Sequence, residues 1–250
     1  MNAPDLILDV GNTRTKAALF KEGRLMRHAA WMNRETGAWR SFLAGTVPAR
    51  AACISVAGPG LDTFEGLGHI VPVTFIRGDA PSPLRMGYGT PGTLGADRLA
   101  NAAGAWHSFP GRATLAMDLG TCITTDLVEA DGTYRGGTIS PGARMRARAM
   151  HAYSARLPEV DLEGPWHLPG TTTEEALRAG IVHGIIGELH RLIHAYRRSD
   201  PDLAVILTGG DGLRFSRALE SGIFADPLLT LRGALILLDH SSGPGRSGPV

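Results

Sequence analysis

Apolar positions along this chain fall into short runs, and the period of each run predicts an element. Leu6 to Val10 reads as a strand, Gly11-Asn12 supplies turn chemistry, and Ala17 to Phe20 reads as the returning strand of a hairpin. Ala51 to Ala57 and Ile70 to Ile76 read as two more short buried strands, each closed by glycine-containing turn chemistry. Residues 78–98, GDAPSPLRMGYGTPGTLGADR, are too rich in Gly and Pro for regular structure throughout and predict a long loop, which in a compact domain is often functional. Beyond it, the spacing of Leu99, Ala102, Ala103 and Trp106 predicts a helix from Asp97 to His107.

The second half predicts a helix from Arg144 to Ala155 and a longer one from Thr173 to Arg198. In the longer one Leu177, Ile181, Ile185 and Leu189 lie four apart, and Val182, Ile186, Ile193 and Tyr196 widen the stripe into a buried face or a subunit contact. Thr172 or Thr173 is the candidate N-cap, and Glu174 and Glu175 suit the helix N-terminus. LAVILTGGDG (203–212) predicts a buried strand ending in a glycine turn, followed by a short helix. LRGALILLDH closes the core, and the Gly/Ser/Pro tail 241–250 is expected to be flexible.

Asp9 does not belong in a plain hairpin. A carboxylate at the end of a buried strand is costly unless it is paired, hydrogen-bonded or holding a cation. The pattern also returns: placing Asp118 on Asp9 pairs LAMDLGTCITTDLVEADG with LILDVGNTRTKAALFKEG, with strand, Asp-x-Gly, threonines and second strand in register. Two such hairpins in corresponding positions imply an internal duplication. The expected domains are 1–112 and 113–240, followed by the tail.

Composition narrows the function. Lys+Arg is 25 against Asp+Glu 24, so the net charge of +1 argues against a general nucleic-acid or acidic-membrane binder and leaves small anions as ligands. Cys53 and Cys122 form no CxxC, so no disulfide framework or zinc site is indicated, and reducing cytoplasm is the expected location. No apolar run approaches the roughly 20 residues of a membrane span, and the N-terminus runs straight into a strand. His183, His190 and His194 share the long helix without an HExxH glutamate and are assigned no catalytic part.

Two Asp-x-Gly turns and a later Thr-Gly-Gly turn are what a nucleotide clamp between duplicated domains requires. Glycines let backbone N–H groups approach phosphate oxygens, threonine hydroxyls add neutral donors, and aspartates hold a metal ion or its waters. The residues expected to do this are Gly11, Asn12, Thr13 and Thr15 on one side, and Gly120 and Thr121 on the other; Gly209 and Gly210, without side chains, are suited to lie flat against a nucleoside. This arrangement resembles the actin, hexokinase and Hsp70 superfamily. With YGTPGTLGADR (88–98) it resembles the type III pantothenate kinases across nearly the whole chain: DVGNTRTK (9–16), GADR (95–98), DLGTCIT (118–124), GGTISPG (136–142), Thr173 with Ala176, and TGG (208–210) follow in order.

The resemblance implies an α/β fold of two ribonuclease-H-like domains with ATP in the cleft between them, and a homodimer whose substrate site is completed across the interface. It implies ATP contacts from Asp9, Val10, Gly11, Asn12, Thr13, Arg14, Thr15, Lys16, Thr121, Gly209 and Gly210, with Asp9 on the Mg²⁺ side. Asp118 is implied as the ligand of a monovalent cation, potassium or ammonium. Pantothenate is implied to meet Tyr88, Gly95, Ala96, Asp97, Arg98 and Thr173, with Asp97 as the base for its hydroxyl and Arg98 pairing with its carboxylate. Taken locally, Asp97 is a helix N-terminal residue, Arg98 a surface ion-pair partner and Lys16 a strand surface charge. Cys122 stands where the family often has alanine, and Thr172 where asparagine commonly precedes the substrate threonine. The rival readings are another small-molecule kinase, acting on a sugar, and a catalytically idle regulatory relative.

Overall fold

The computed structural model describes residues 3–55, 64, 66–219 and 222–241. The last two residues of the expected strand 51–57, and the expected flexible tail beyond Ser241, lie outside the described residues. In chain order the elements are β1 (Asp5–Val10), β2 (Arg14–Lys21), β3 (Arg24–Met32), α1 (Ala38–Leu43), β4 (Arg50–Ser55), β5 (Val73–Ile76), β6 (Arg85–Met86) and α2 (Ala96–Ser108). There follow β7 (Thr114–Leu119), β8 (Cys122–Val128), β9 (Thr133–Gly136), β10 (Ile139–Pro141), α3 (Ala143–Ala152), α4 (Thr173–Arg197), β11 (Ala204–Thr208), α5 (Gly212–Ser216), β12 (Ile223–Ala225) and α6 (Leu229–Ser241).

By packing, the chain forms two compact units: one runs to Pro110 and takes in Gly132–Arg135 and the chain from Leu228, the other comprises Gly111–Asp131 and Gly136–Pro227. In the first, the sheet order is β3-β2-β1-β4-β5, with antiparallel pairing through β1, β2 and β3 and parallel pairing of β4 with β1 and β5. Leu6, Leu8 and Val10 of β1 point into a core with Trp31, Trp39 and Leu43, and strand alternation puts Ile7 and Asp9 on the opposite face. In the second unit β8-β7-β11-β12 repeats the order and directions of β2-β1-β4-β5. The duplication is therefore one of fold as well as of motif.

The stripe on α4 is a core face. Leu177, Ile181, Ile185 and Leu189 pack with Leu115, Met117 and Leu119 of β7 and Val205 and Leu207 of β11. Several elements differ from expectation. The run 70–76 is strand only over Val73–Ile76, because Leu67–His69 forms a 3-10 turn after Gly66, whose φ is +84°. The helix expected to reach Ala155 ends at Ala152. β3, α1 and the helical state of 229–241 were not anticipated.

That last helix returns to the first unit, which differs from a C-terminal domain running to 240. α6 packs along α2, where a Cβ built on Gly233 would lie 1.8 Å from the Ala100 carbonyl oxygen and one on Gly104 3.0 Å from Leu229. The helices thus meet backbone to backbone, and the Thr230 hydroxyl donates to Asn101 Oδ1 (2.8 Å) inside this seam. At the other end Arg50 binds Asp5 (2.8 Å) and Asp239 together, tying α6 to β1 and β4. The Asp5 hydrogen bond, opposed by burial and helped by Asp239, raises the guanidinium above its ordinary range. Among the described residues no helix is long and apolar enough to cross a membrane.

Gly233→Ala tests the seam. Alanine favours an isolated helix by about 1 kcal/mol, but the overlap with Ala100 forces α2 and α6 apart, which costs about 1–3 kcal/mol or more. Urea unfolding is expected to show net destabilisation; a variant as stable as the parent would contradict the close approach.

Candidate active site

The first acidic turn is held by a residue that carries no motif. Gly11 to Arg14 link Val10 and Thr15, the last paired positions of β1 and β2, and the Gly11 N–H donates to Arg14 O (3.1 Å). Asn33, just past β3, donates its amide Nδ2–H to Gly11 O (2.8 Å) and its backbone N–H to Thr13 O (3.0 Å). Its Oδ1 accepts from the Thr15 hydroxyl (3.0 Å). Thr15 is fully buried, and in this arrangement its hydroxyl supports the turn through Asn33. Val10 is buried too, while Asn12, Thr13 and Arg14 are exposed. Lys16 lies opposite Asp9 in the ladder, so both side chains leave the same face of the sheet.

The second acidic turn is one residue shorter. Gly120-Thr121-Cys122 link Leu119 and Ile123, the Gly120 N–H donates to Cys122 O (3.0 Å), and the residue opposite Asp118 is Thr124. The two copies therefore slip by one position after the turn, and the ladder counterpart of Thr15 is the buried Ile123.

Three motifs of the second unit converge here. The Gly142 N–H donates to Thr121 O (3.0 Å) and the Asp211 N–H to Leu119 O (3.0 Å). A Cβ on Gly142 would fall 2.2 Å from Gly120 O; on Gly209, where φ is +86°, it would fall 2.4 Å from Asp118 Oδ1. DLGTCIT, ISPG and TGG thus meet at backbone contact, possible only with glycine at both places. Gly210 is exposed and lines, with Trp166, Leu213, Arg214, Arg217 and Ala218, a cavity of about 510 Å³. Burial raises the Asp211 carboxyl, against the pull of Arg214 and Arg144.

The GADR segment lies in the first unit. Gly87 donates its N–H to Tyr134 O (3.0 Å), and Tyr88 tilts against the Tyr134 ring at 5.9 Å. Arg98 is only 6% exposed, and its guanidinium sits 6.0 Å from the Tyr88 ring. Asp97, in the first turn of α2, accepts the Arg98 N–H on Oδ1 (2.9 Å), and a Cβ on Gly95 would stand 2.4 Å from that oxygen. Ala96 is buried beside them. Tyr88, Gly95, Asp97 and Arg98 therefore form one cluster, in which Gly95 makes room for the carboxylate.

At the head of α4 the cap is Thr172, whose hydroxyl oxygen accepts the Glu175 N–H (3.2 Å). Glu175 accepts in return from the Thr171 hydroxyl (2.7 Å) and N–H (2.8 Å), which hold its carboxyl below the usual range. Thr173 is the first helical residue, exposed and not needed for capping. Among the described residues no group of three or more His, Cys, Asp or Glu could hold a metal ion; His190 and His194 stack on each other at 6.2 Å.

Two α/β units of one topology, each with an acidic glycine turn at the end of its first strand, define the actin-like ATPase class of duplicated ribonuclease-H-like folds. Solved structures share the fold at low identity: one from Campylobacter jejuni, described as a Baf family transcriptional activator, at TM-score 0.62 and 18% identity over 95% of this chain and 98% of its own. The activator of the 2-hydroxyisocaproyl-CoA dehydratase from Clostridium difficile, with bound ADPNP, aligns at TM-score 0.55 and 12% identity over 98% of this chain and all of its own (100%). The sequence profile of the type III pantothenate kinases matches residues 5–195, and a type III pantothenate kinase of Bacteroides fragilis is 38% identical over 96% of this chain and 99% of its own. The chain belongs to the type III pantothenate kinase family.

The two cysteines offer a test of the first turn's surroundings. Cys53 faces Leu8 in the ladder, and burial, then the Asp9 charge, push its thiol up to about 12. Because folding favours the neutral thiol, its contribution to stability is complete below pH 9.0 and is lost as pH climbs toward about 12. At pH 8 iodoacetamide should modify the half-buried Cys122 in the native protein and reach Cys53 only after unfolding. Peptide mass spectrometry showing equal labelling would refute this environment.

Proposed function

We propose that this chain transfers the γ-phosphoryl group of ATP to the primary hydroxyl of pantothenate, the first committed step toward coenzyme A. The observation that carries the reading is the Gly120–Thr121 turn, walled by Gly142 and Gly209, in a chain of this family. Gly11 and Gly120 already spend their N–H groups closing their own turns, so the donors for phosphate are those of the residues after them: Asn12 and Thr13 in one unit, Thr121 in the other. Gly209 and Gly210 pack against the nucleoside.

The divalent ion fits this donor set. Asp9 would hold Mg²⁺ on the phosphate side, since beside a nucleotide the protein's share of this ion is usually one or two carboxylates. When bound it supplies neutralisation of the phosphate charge. Asp118 faces a neutral threonine across the ladder where Asp9 faces Lys16, which supports Asp118 as the place for a monovalent cation, potassium or ammonium.

The acceptor end is the GADR cluster. Arg98 pairs its guanidinium with the pantothenate carboxylate, and Tyr88 and Thr173 contact the rest of the molecule. Asp97 Oδ1 is anchored on the helix N-terminus, leaving Oδ2 to accept the hydroxyl proton as oxygen bonds to the γ-phosphorus and the bond to the β-phosphate oxygen breaks, releasing ADP. A weak base suffices, because proton loss is late in a loose transition state. The cytoplasm is the setting of this reaction.

The active form is a homodimer built on α4. Gly180, Gly184 and Gly187 line its exposed side; a Cβ on Gly180 or Gly187 would meet nothing within 4 Å, and one on Gly184 only Arg146 at 3.8 Å. Each glycine costs the helix about 1 kcal/mol relative to alanine, and among the described residues no group fills the space beside Gly180 and Gly187. Close approach of a second copy does use it.

ADP release with pantothenate, run in sodium and then in potassium, should show turnover favoured by potassium; turnover of a hexose and not of pantothenate would overturn the assignment. Asp97→Asn should lower kcat by about 10²–10⁴-fold while leaving ATP affinity intact, and undiminished turnover would remove it as the base. Gly184→Leu should shift sedimentation from dimer to monomer. A dimer that persists unchanged would exclude this face.

A further inference from the structure

Glu188 is the feature that the reaction leaves without a role. It lies near the middle of α4, between Ile185 and Leu189, whose side chains are wholly buried in the core. The Ser140 hydroxyl of β10 donates to its Oε1, and the Arg146 guanidinium of α3 binds its Oε2. Arg146 also donates from Nε to Pro141 O (2.8 Å). Both carboxylate oxygens are thus committed to the two ends of one short segment, 140–146.

The middle of that segment is Gly142, whose N–H caps Thr121 O and whose Cα presses against Gly120 O so closely that no side chain fits. Arg146 N donates to Gly142 O (2.9 Å), so its own backbone is locked to the same glycine. A carboxylate on the flank of a helix anchored in the core therefore sets how far Gly142 is pushed onto the turn. Arg146 and Glu188 are about a quarter exposed (22% and 25%), and neither belongs to the apolar core cluster. The pair's geometric effect is on the turn.

We propose that Glu188 is a positioning residue for ATP: through Ser140 and Arg146 it holds Gly142 against the Gly120–Thr121 turn and so sets nucleotide affinity without touching the nucleotide. This rests on the reading that this turn binds the ATP phosphates. A shift of the turn by a few tenths of an ångström lengthens every N–H to phosphate contact it makes, whereas the acceptor cluster at Asp97 and Arg98 belongs to the other unit.

The test measures the wild type, Glu188→Ala, Glu188→Gln and Ser140→Ala by ADP titration calorimetry and by initial rates with each substrate varied. Glu188→Ala is expected to raise the Kd for ADP and the KM for ATP about tenfold, the loss of roughly one charge-assisted hydrogen bond, with the KM for pantothenate within about twofold. Glu188→Gln, which keeps an acceptor but loses the charge, should fall between. Ser140→Ala should move the same constants less, and should add little in the Glu188→Ala background, because both act through one segment. A merely structural role would lower the active fraction and leave these constants unchanged. Unchanged ADP affinity in folded Glu188→Ala, or in Glu188→Gln and Ser140→Ala if the alanine variant does not fold, overturns the proposal, as does an equal rise in both KM values. A wild type that binds ADP but does not phosphorylate pantothenate would sink the proposed reaction, and the ADP constants would still decide the role of Glu188.

Discussion

Two stretches of backbone rest on the loop between β7 and β8 with nothing between them and its peptide oxygens. An added Cβ would stand 2.2 Å from the Gly120 carbonyl oxygen at Gly142 and 2.5 Å from the Leu119 carbonyl oxygen at Gly209, well inside contact distance. The start of α3, the end of β11 and the acidic hairpin can therefore occupy only one arrangement. Everything proposed for the second unit follows from that contact: the donors left facing outward, the place of Asp118 and the flat approach of the Thr-Gly-Gly turn to its cavity.

The duplicated hairpins are the same idea supported in two ways. In the first unit one side chain, Asn33, bonds Gly11 and Thr15 and adds its backbone N–H to Thr13, and a buried threonine hydroxyl completes the bridge. In the second, backbone N–H groups of Gly142 and Asp211 do the work. The charge opposite the aspartate differs as well, Lys16 in one and Thr124 in the other. A shared topology thus leaves two turns with different electrostatics.

α4 gathers several constraints on one rod. One face packs on β7 and β11, its flank at Glu188 reaches the glycine segment, its open side carries three glycines, and its first turn is capped by Thr172 and Glu175 so that Thr173 stands exposed. A helix so anchored is stiff, and stiffness lets a group at its middle act on a turn.

The chain's own order of residues determined the strands that end in Asp-x-Gly, the long helix with its apolar stripe and the N-cap at 172 or 173, because each is written within a few neighbouring positions. Only the tertiary structure decided that Thr15 faces inward, that the second turn is a residue shorter, and that 229–241 is a helix returning to α2. Asn33 stands 22 residues from Gly11, and Glu188 stands 48 from Ser140. Neither has a local pattern to betray it: a hydrogen bond between groups so far apart along the chain exists only once sheet and helix have packed, and packing depends on the whole set of buried side chains at once.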